Sequence, residues 1–347
     1  MAARLRESTR TTDPITSGRQ RETKKETAKP EVFAGLFSRE SLGMIGKISL
    51  DSRSKKPSLA QEPVPPGKRS TPSKGVTPTP VFAITSGKGG VGKTNIVANL
   101  AAALTLRKKR VMVIDADLGL ANLDLFFGVR PSYTLADFFA GLATLDQIII
   151  PNGKGVLLLP GTRGTQEITA LRHDQKAALL TELDALDYQI DLALVDTGSG
   201  ISDTVTYFAA SAQEIVVVVT PEPSSITDAY ALIKVLAFVH HEKRFRILAN
   251  NVSGEAEARR LFDALSGMAL RFLNASVDLF GWVPRDRQLI QAVARSQMVV
   301  TDAADAPSAK AFACMAERLI QMTSARSRIK GNLQFFFRHM LEAREAR

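Results

Sequence analysis

Cysteine is almost absent from these 347 residues, with Cys314 standing alone in "AFACMAERL". One thiol excludes internal disulfides and thiolate metal clusters, and its helical setting makes it an ordinary small core residue. The four histidines, His173, His240, His241 and His339, are too scattered to bind a metal together. No apolar run approaches the roughly 20 residues that cross a bilayer. The start "MAARLRESTR" also lacks the apolar stretch of a secretory signal. The expectation is a chain that works in the cytoplasm.

Acidic residues are short by ten, and the deficit is local. Residues 1–80 carry 16 Lys/Arg against 8 Asp/Glu, residues 324–347 carry 6 against 2, and the remainder carries 23 against 25. The body is therefore near neutral, which argues against specific DNA binding through a basic folded face. The basic tail could still touch nucleic acid or anionic lipid without specificity. Its bias toward Ser, Pro and Lys, as in "DSRSKKPSLAQEPVPPGKRSTPSK", predicts a disordered basic extension over 1–79. Within it Phe33, Leu36 and Phe37 share one helical face, either as a local cluster or as a partner-binding motif.

From about residue 80 the pattern changes to apolar runs alternating with amphipathic segments. The runs "VFAIT", "RVMVIDA", "GVLLLP", "DLALVDT", "EIVVVVT", "FRILANN" and "VDLFGWV" read as strands of a mainly parallel sheet. Stretches such as "NIVANLAAALTLRKK" and "TDAYALIKVLAFVHH" read as the helices between them. The prediction is one doubly wound α/β domain over 80–325, with ligands beyond the carboxyl ends of its strands. After it, Leu333, Phe336, Phe337, Met340 and Leu341 recur at helical spacing beside Arg326, Arg328, Lys330 and Arg338. Residues 326–347 thus predict a basic amphipathic helix, either lying in an anionic membrane interface or docked on the body.

The stretch "SGKGGVGKTN", following a strand and opening a helix, fits the phosphate-loop pattern at Gly87, Gly92, Lys93 and Thr94. The predicted cradle runs from Gly87 through Lys88, Gly89, Gly90, Val91, Gly92, Lys93 and Thr94 to Asn95. Its glycines can adopt positive φ and turn backbone N–H groups toward phosphates at a helix N-terminus. Lys93 would reach the β- and γ-phosphates of ATP, and Thr94 would hold Mg²⁺. Two acidic strand ends complete the pattern. Asp196 in "LALVDTGSG" suits a Mg²⁺ role, direct or through water, and Asp117 in "VIDADLGLANLD" suits orientation of the attacking water or, alternatively, a helix cap. Asp115 is either structural, in contact with a Mg²⁺-bound water, or both.

The segments "KGGVGKTN", "DADLGLANLD" and "VDTGSG" resemble the deviant Walker A and the two switch segments of the MinD/ParA family of dimerising ATPases. That resemblance implies a P-loop fold, ATP and Mg²⁺ as ligands, slow hydrolysis and an ATP-dependent homodimer. It also gives the extra lysine, Lys88, a role: reaching across the dimer to the partner's nucleotide. "TLADFFAGL", "EPSSITDAYALIKVL" and "RFRILANN" are more similar to the flagellar branch, the FlhG/FleN regulators of flagellar number and placement. By that likeness Asn250, Pro284, Arg285 and Asp286 frame the adenine, unless Asn250 and Asp286 are loop and cap residues. Asp228 is a partner for Lys88 in the resting monomer or a helix cap. The implied partners are an FlhF-like GTPase, flagellar switch (C-ring) proteins and a flagellar transcription activator, with reversible attachment to the inner membrane at the cell pole. The chain departs from this branch in lacking a D-Q-A-x-x-L-R motif within residues 1–80. The look-alike "HDQKAALL" falls at His173–Leu180 instead. A MinD- or ParA-type ATPase positioning the division site, a chromosome or other cargo is the alternative.

Overall fold

The structure is a computed structural model that describes residues 79–119, 121–162, 171–186, 188–324 and 335. The expected N-terminal extension lies outside the described residues except at Thr79, as does the expected C-terminal helix except at Phe335.

In chain order the elements are β1 (Val81–Ser86), α1 (Lys93–Thr105), β2 (Val111–Ala116), α2 (Leu123–Phe127), α3 (Leu135–Phe139), α4 (Leu145–Ile148), β3 (Ile150–Pro151) and β4 (Val156–Leu159). There follow α5 (His173–Ala185), β5 (Leu192–Ser199), α6 (Asp203–Ala210), β6 (Glu214–Val219), α7 (Pro223–Val239), β7 (Arg244–Val252), α8 (Glu255–Leu273) and β8 (Ser276–Pro284). Three helices close the chain: α9 (Arg287–Ala294), α10 (Val299–Asp302) and α11 (Pro307–Ser324). The strands form one eight-stranded sheet in the order β3-β4-β2-β5-β1-β6-β7-β8, parallel except for β3 against β4. All seven expected strands are present, and β3 is the one that the sequence did not reveal.

The central strands β1, β2 and β5 are apolar up to their carboxyl ends because both faces of the sheet are covered. Every residue of β1 and of β2 is buried. One face packs under α5, α6, α7 and α8, through Leu179, Phe208, Leu232 and Leu265. The other packs under α1 and α9 to α11, through Leu100, Ala292, Val299 and Phe312. Cys314 on α11 is exposed rather than in the core as its sequence setting suggested, because it falls on the helix face turned away from the sheet. The chain leaves β1 toward β2 on one side and reaches β6 to β8 on the other, so the crevice above β1 is the switch point of the sheet.

Candidate functional site

The loop joining β1 to α1 lies in that crevice. Gly90 (φ 77°) and Gly92 (φ 93°) adopt the left-handed region, and Gly92 is the N-cap of α1. A side chain there would be strained as well as crowded, since a Cβ on Gly92 would lie 2.7 Å from the Asn250 amide nitrogen. At Gly87 the constraint is proximity instead. A Cβ would sit 2.0 Å from the Asp228 carbonyl oxygen, so only glycine lets α7 come this close to the loop.

Lys93 begins α1 and is buried, with its Nζ donating to Ser86 Oγ at 3.0 Å. Ser86 Oγ in turn donates to the Lys88 carbonyl at 2.7 Å, which fixes the start of the loop. Burial lowers the Lys93 pKa, with the charges of Asp196 and Asp117 acting in the opposite sense. Lys88 is turned away from the loop and is half-exposed. Its Nζ donates to Glu222 Oε2 at 2.5 Å and to Ser224 Oγ at 2.9 Å, both at the start of α7. Asp228 is therefore neither the partner of Lys88 nor a cap, since it lies inside α7 and its backbone faces Gly87.

Asp115 and Asp196 stand side by side because β2 and β5 pair in parallel register there. Asp196 is 1% exposed, and among the described residues neither of its oxygens makes a hydrogen bond of normal geometry. Burial pushes its pKa well above the carboxylate range and the Asp115 charge adds to this, while the Thr94 hydroxyl and the Lys93 ammonium oppose it. A buried carboxylate with only the Thr94 hydroxyl and the Lys93 charge to offset its burial is a site prepared for a cation. Asp115 has a different fate: its Oδ2 accepts from the N–H groups of Asn122 and Leu123, both at 3.2 Å, and its Oδ1 accepts from Asp117 N–H at 3.3 Å. It anchors the start of α2, the structural role that the sequence left open. Burial raises its pKa to about 7 despite these backbone donors, with the Asp117 charge also raising it.

Asp117 follows β2 and is not a helix cap, because Asn122 is the N-cap of α2. Its carboxylate lies beside Gly198, where a Cβ would be 3.7 Å from Oδ1. Asn95, in the first turn of α1, accepts from Asn99 Nδ2 through its carbonyl at 2.9 Å and its amide oxygen at 2.7 Å. Asn250 ends in the same crevice, with its Nδ2 donating to the Val91 carbonyl at 2.7 Å, so it holds the loop itself. Pro284 closes β8, and Arg285 Nε donates to the Asn251 carbonyl at 3.1 Å. Asp286 acts as the cap that the sequence left open. It is the N-cap of α9, accepting from Gln288 N–H at 2.9 Å and from Ser308 N–H and Oγ–H at 3.0 and 2.6 Å.

Sequence reasoning missed Glu222, Ser224 and Gly161. The first two stand in "EPSS", where a proline at the first helical position was the available signal of a helix start facing the crevice. A Cβ on Gly161 would lie 2.6 Å from the Asp115 carbonyl, a closeness that no local pattern announces.

The loop glycines, the buried lysine and the orphaned carboxylate fit a nucleotide with Mg²⁺. Residues 82–299 match the CobQ/CobB/MinD/ParA nucleotide binding domain. The chain is 39% identical over 265 residues to the antiactivator FleN of Pseudomonas aeruginosa, covering 76% of this chain and 94% of FleN. It is 34% identical over 230 residues to the flagellum site-determining protein YlxH of Helicobacter pylori, covering 63% and 78%. The septum site-determining protein MinD of Pyrococcus horikoshii, solved as a complex with Mg-ADP, superposes with a TM-score of 0.57 at 25% identity, covering 72% of this chain and all of that one. Strand order, phosphate loop and these likenesses converge, and the chain belongs to the MinD/ParA nucleotide-binding family of P-loop folds.

Proposed function

We propose that this chain is an ATP-driven switch that limits the number of flagella and sets their placement, hydrolysing ATP slowly at a homodimer interface. The observation that carries the reading is the orphaned Asp196 carboxylate beneath a phosphate loop whose two lysines have opposite surroundings. Similarity to FleN over 94% of its length supports the flagellar assignment over a septum or partition role.

Gly87 to Asn95 would cradle the phosphates with backbone N–H groups, with Lys93 supplying charge to them from within the same chain. Mg²⁺, held by Thr94 and Asp196, would neutralise phosphate charge, while Asp115 keeps the α2 end of the site in place. Asp117 would orient and deprotonate the attacking water. Lys88 would leave Glu222 and reach the partner's nucleotide, so that hydrolysis depends on association. Asn250 near the end of β7, with Pro284 and Arg285 at the end of β8, would border the adenine, and Asp286 would hold that turn in place as the cap of α9. The C-terminal helix over 326–347 would bring the ATP dimer to the anionic inner membrane, at the cell pole. There it would meet an FlhF-like GTPase, flagellar switch proteins or a flagellar transcription activator.

ATP acts here by selecting a shape, since it can shift the population only through its differential affinity for the two forms. Deletion of the gene is expected to give extra flagella, counted by electron microscopy. A Lys93→Ala chain is expected to leave their placement uncorrected. Normal flagella in the deletion strain, together with misplaced septa or lost chromosomes, would falsify the flagellar reading in favour of a division or partition role.

A further inference from the structure

We propose that the amino edge of the sheet, opposite the phosphate loop, is itself a contact surface for anionic lipid. The inference deepens the membrane part of the proposed function and rests on it. Helices α7 and α8 run from the carboxyl edge to the amino edge, and both end in apolar side chains left in water. Phe238, Val239, Leu270 and Phe272 are 58 to 69% exposed. Between these helix ends β7 and β8 begin, joined by Ser276 N–H donating to the Lys243 carbonyl at 2.8 Å. Lys243 and Arg244 are exposed there, and the Arg271 guanidinium lies 5.2 Å from the Phe272 ring.

The same edge stays basic toward the other side of the sheet. Lys108 lies in the turn from α1 to β2 and Lys154 lies just before β4, and the two turns are tied by Val111 N–H donating to the Gly155 carbonyl at 2.9 Å. Among the acids nearby, Asp191 pairs with Arg110, Glu214 and Asp278 with Arg246, and Glu317 with Arg107, while Glu242, just before Lys243, is buried. Lys108, Lys154, Lys243 and Arg244 make no ion pair with a described residue. A body that is neutral by count thus carries a cationic rim on one edge.

The continuation of the chain also emerges at this edge. The Arg107–Glu317 pair sets α11 alongside α1, so α11 ends at the amino edge. Phe335 is tied there as well, its N–H donating to the Ser211 carbonyl at 3.0 Å and its carbonyl accepting from Gln213 Nε2 at 3.2 Å. Cations alone would suit nucleic acid equally well. Exposed aliphatic and aromatic tips among them suit lipid, since they can insert below the headgroups while Lys and Arg meet anionic charge. A basic patch beside an amphipathic helix adds attraction to anionic headgroups to the binding that the helix's apolar area supplies.

The test uses the full chain with Mg²⁺ and ATP, sedimented with vesicles of phosphatidylcholine containing or lacking phosphatidylglycerol. Lys108→Glu, Lys154→Glu, Lys243→Glu and Arg244→Glu combined should lower binding to the anionic vesicles at least tenfold, given about fivefold per cation near the surface. Lys108→Arg, Lys154→Arg and Lys243→Arg combined should bind like the parent. Phe238→Ser with Phe272→Ser should also weaken binding, and fluorescent-nucleotide affinity should be unchanged throughout. Equal sedimentation of parent and Glu variant overturns the lipid surface while leaving the membrane reading intact. A parent that fails to sediment at all refutes both. Patch-dependent binding to a random DNA duplex without vesicle binding reassigns the edge to nucleic acid.

Discussion

Lys88 and Lys93 lie five residues apart, and the difference in their surroundings separates their predicted effects. Lys93 is buried and held by Ser86, so Lys93→Ala should abolish nucleotide binding. Lys88 points to Glu222 and Ser224, so Lys88→Ala should leave monomeric nucleotide binding intact while lowering hydrolysis by about 100-fold, the scale for losing one charge donor to a transition state. Asp117→Ala should trap the ATP dimer, visible by gel filtration with ATP and Mg²⁺. A Lys88→Ala chain that hydrolyses like the parent would sink the trans role. Glu222→Ala should change stability by no more than about 0.5 kcal/mol, because the pair is largely exposed. It should nevertheless favour ATP-driven dimerisation by freeing Lys88. The phosphate loop was legible because its residues are contiguous, although the packing that requires glycine at Gly87 and Gly92 comes from Asp228 and Asn250, far along the chain. Glu222 was not, because 134 residues separate it from Lys88.

Among elements, continuous apolar runs announced seven strands, whereas β3 spans two residues and has no period to detect. The start of α7 came earlier than its apolar pattern, at Pro223, since proline suits the first helical turn. Asp286 shows an element boundary fixed from outside, because one carboxylate caps α9 and also binds the start of α11. Burial pulls its pKa upward, but the hydrogen bonds from Ser308 and Gln288 outweigh it and hold the carboxyl below its usual range. A depressed folded-state pKa adds stability above the unfolded value, about 4, and that stability is lost as pH falls through the folded value. Asp286→Ala should therefore cost about 1–2 kcal/mol at pH 7. Thermal melts of parent and variant should converge toward pH 3, and a gap that persists there would assign the loss to packing.

At the scale of the whole molecule, the apolar face expected in residues 326–347 passed over Phe335. That ring is fully buried against Tyr207 and Phe208, with centroids 6.3 and 5.9 Å away. Phe335 therefore packs on the body, and the rest of the expected helix lies outside the described residues. Its socket lies on α6, the helix that follows the Asp196 strand, so Phe335 and the nucleotide crevice share an element. Phe335→Ala should speed tryptic cleavage at Arg326, Arg328 and Lys330 several-fold without changing nucleotide affinity, read by mass spectrometry of the fragments. Unchanged cleavage would mean that Phe335 is not what holds the segment. The sequence by itself determined the parallel α/β sheet, the phosphate loop and the family, because these reside in periodicity and in contiguous motifs. Only the tertiary structure decided that Asp115 supports α2 with backbone donors while Asp196 has none from the backbone, that Lys88 rests on Glu222, and that a neutral body carries a basic, apolar-tipped edge. Each of these depends on strand order and helix direction, which bring together residues that no local pattern links.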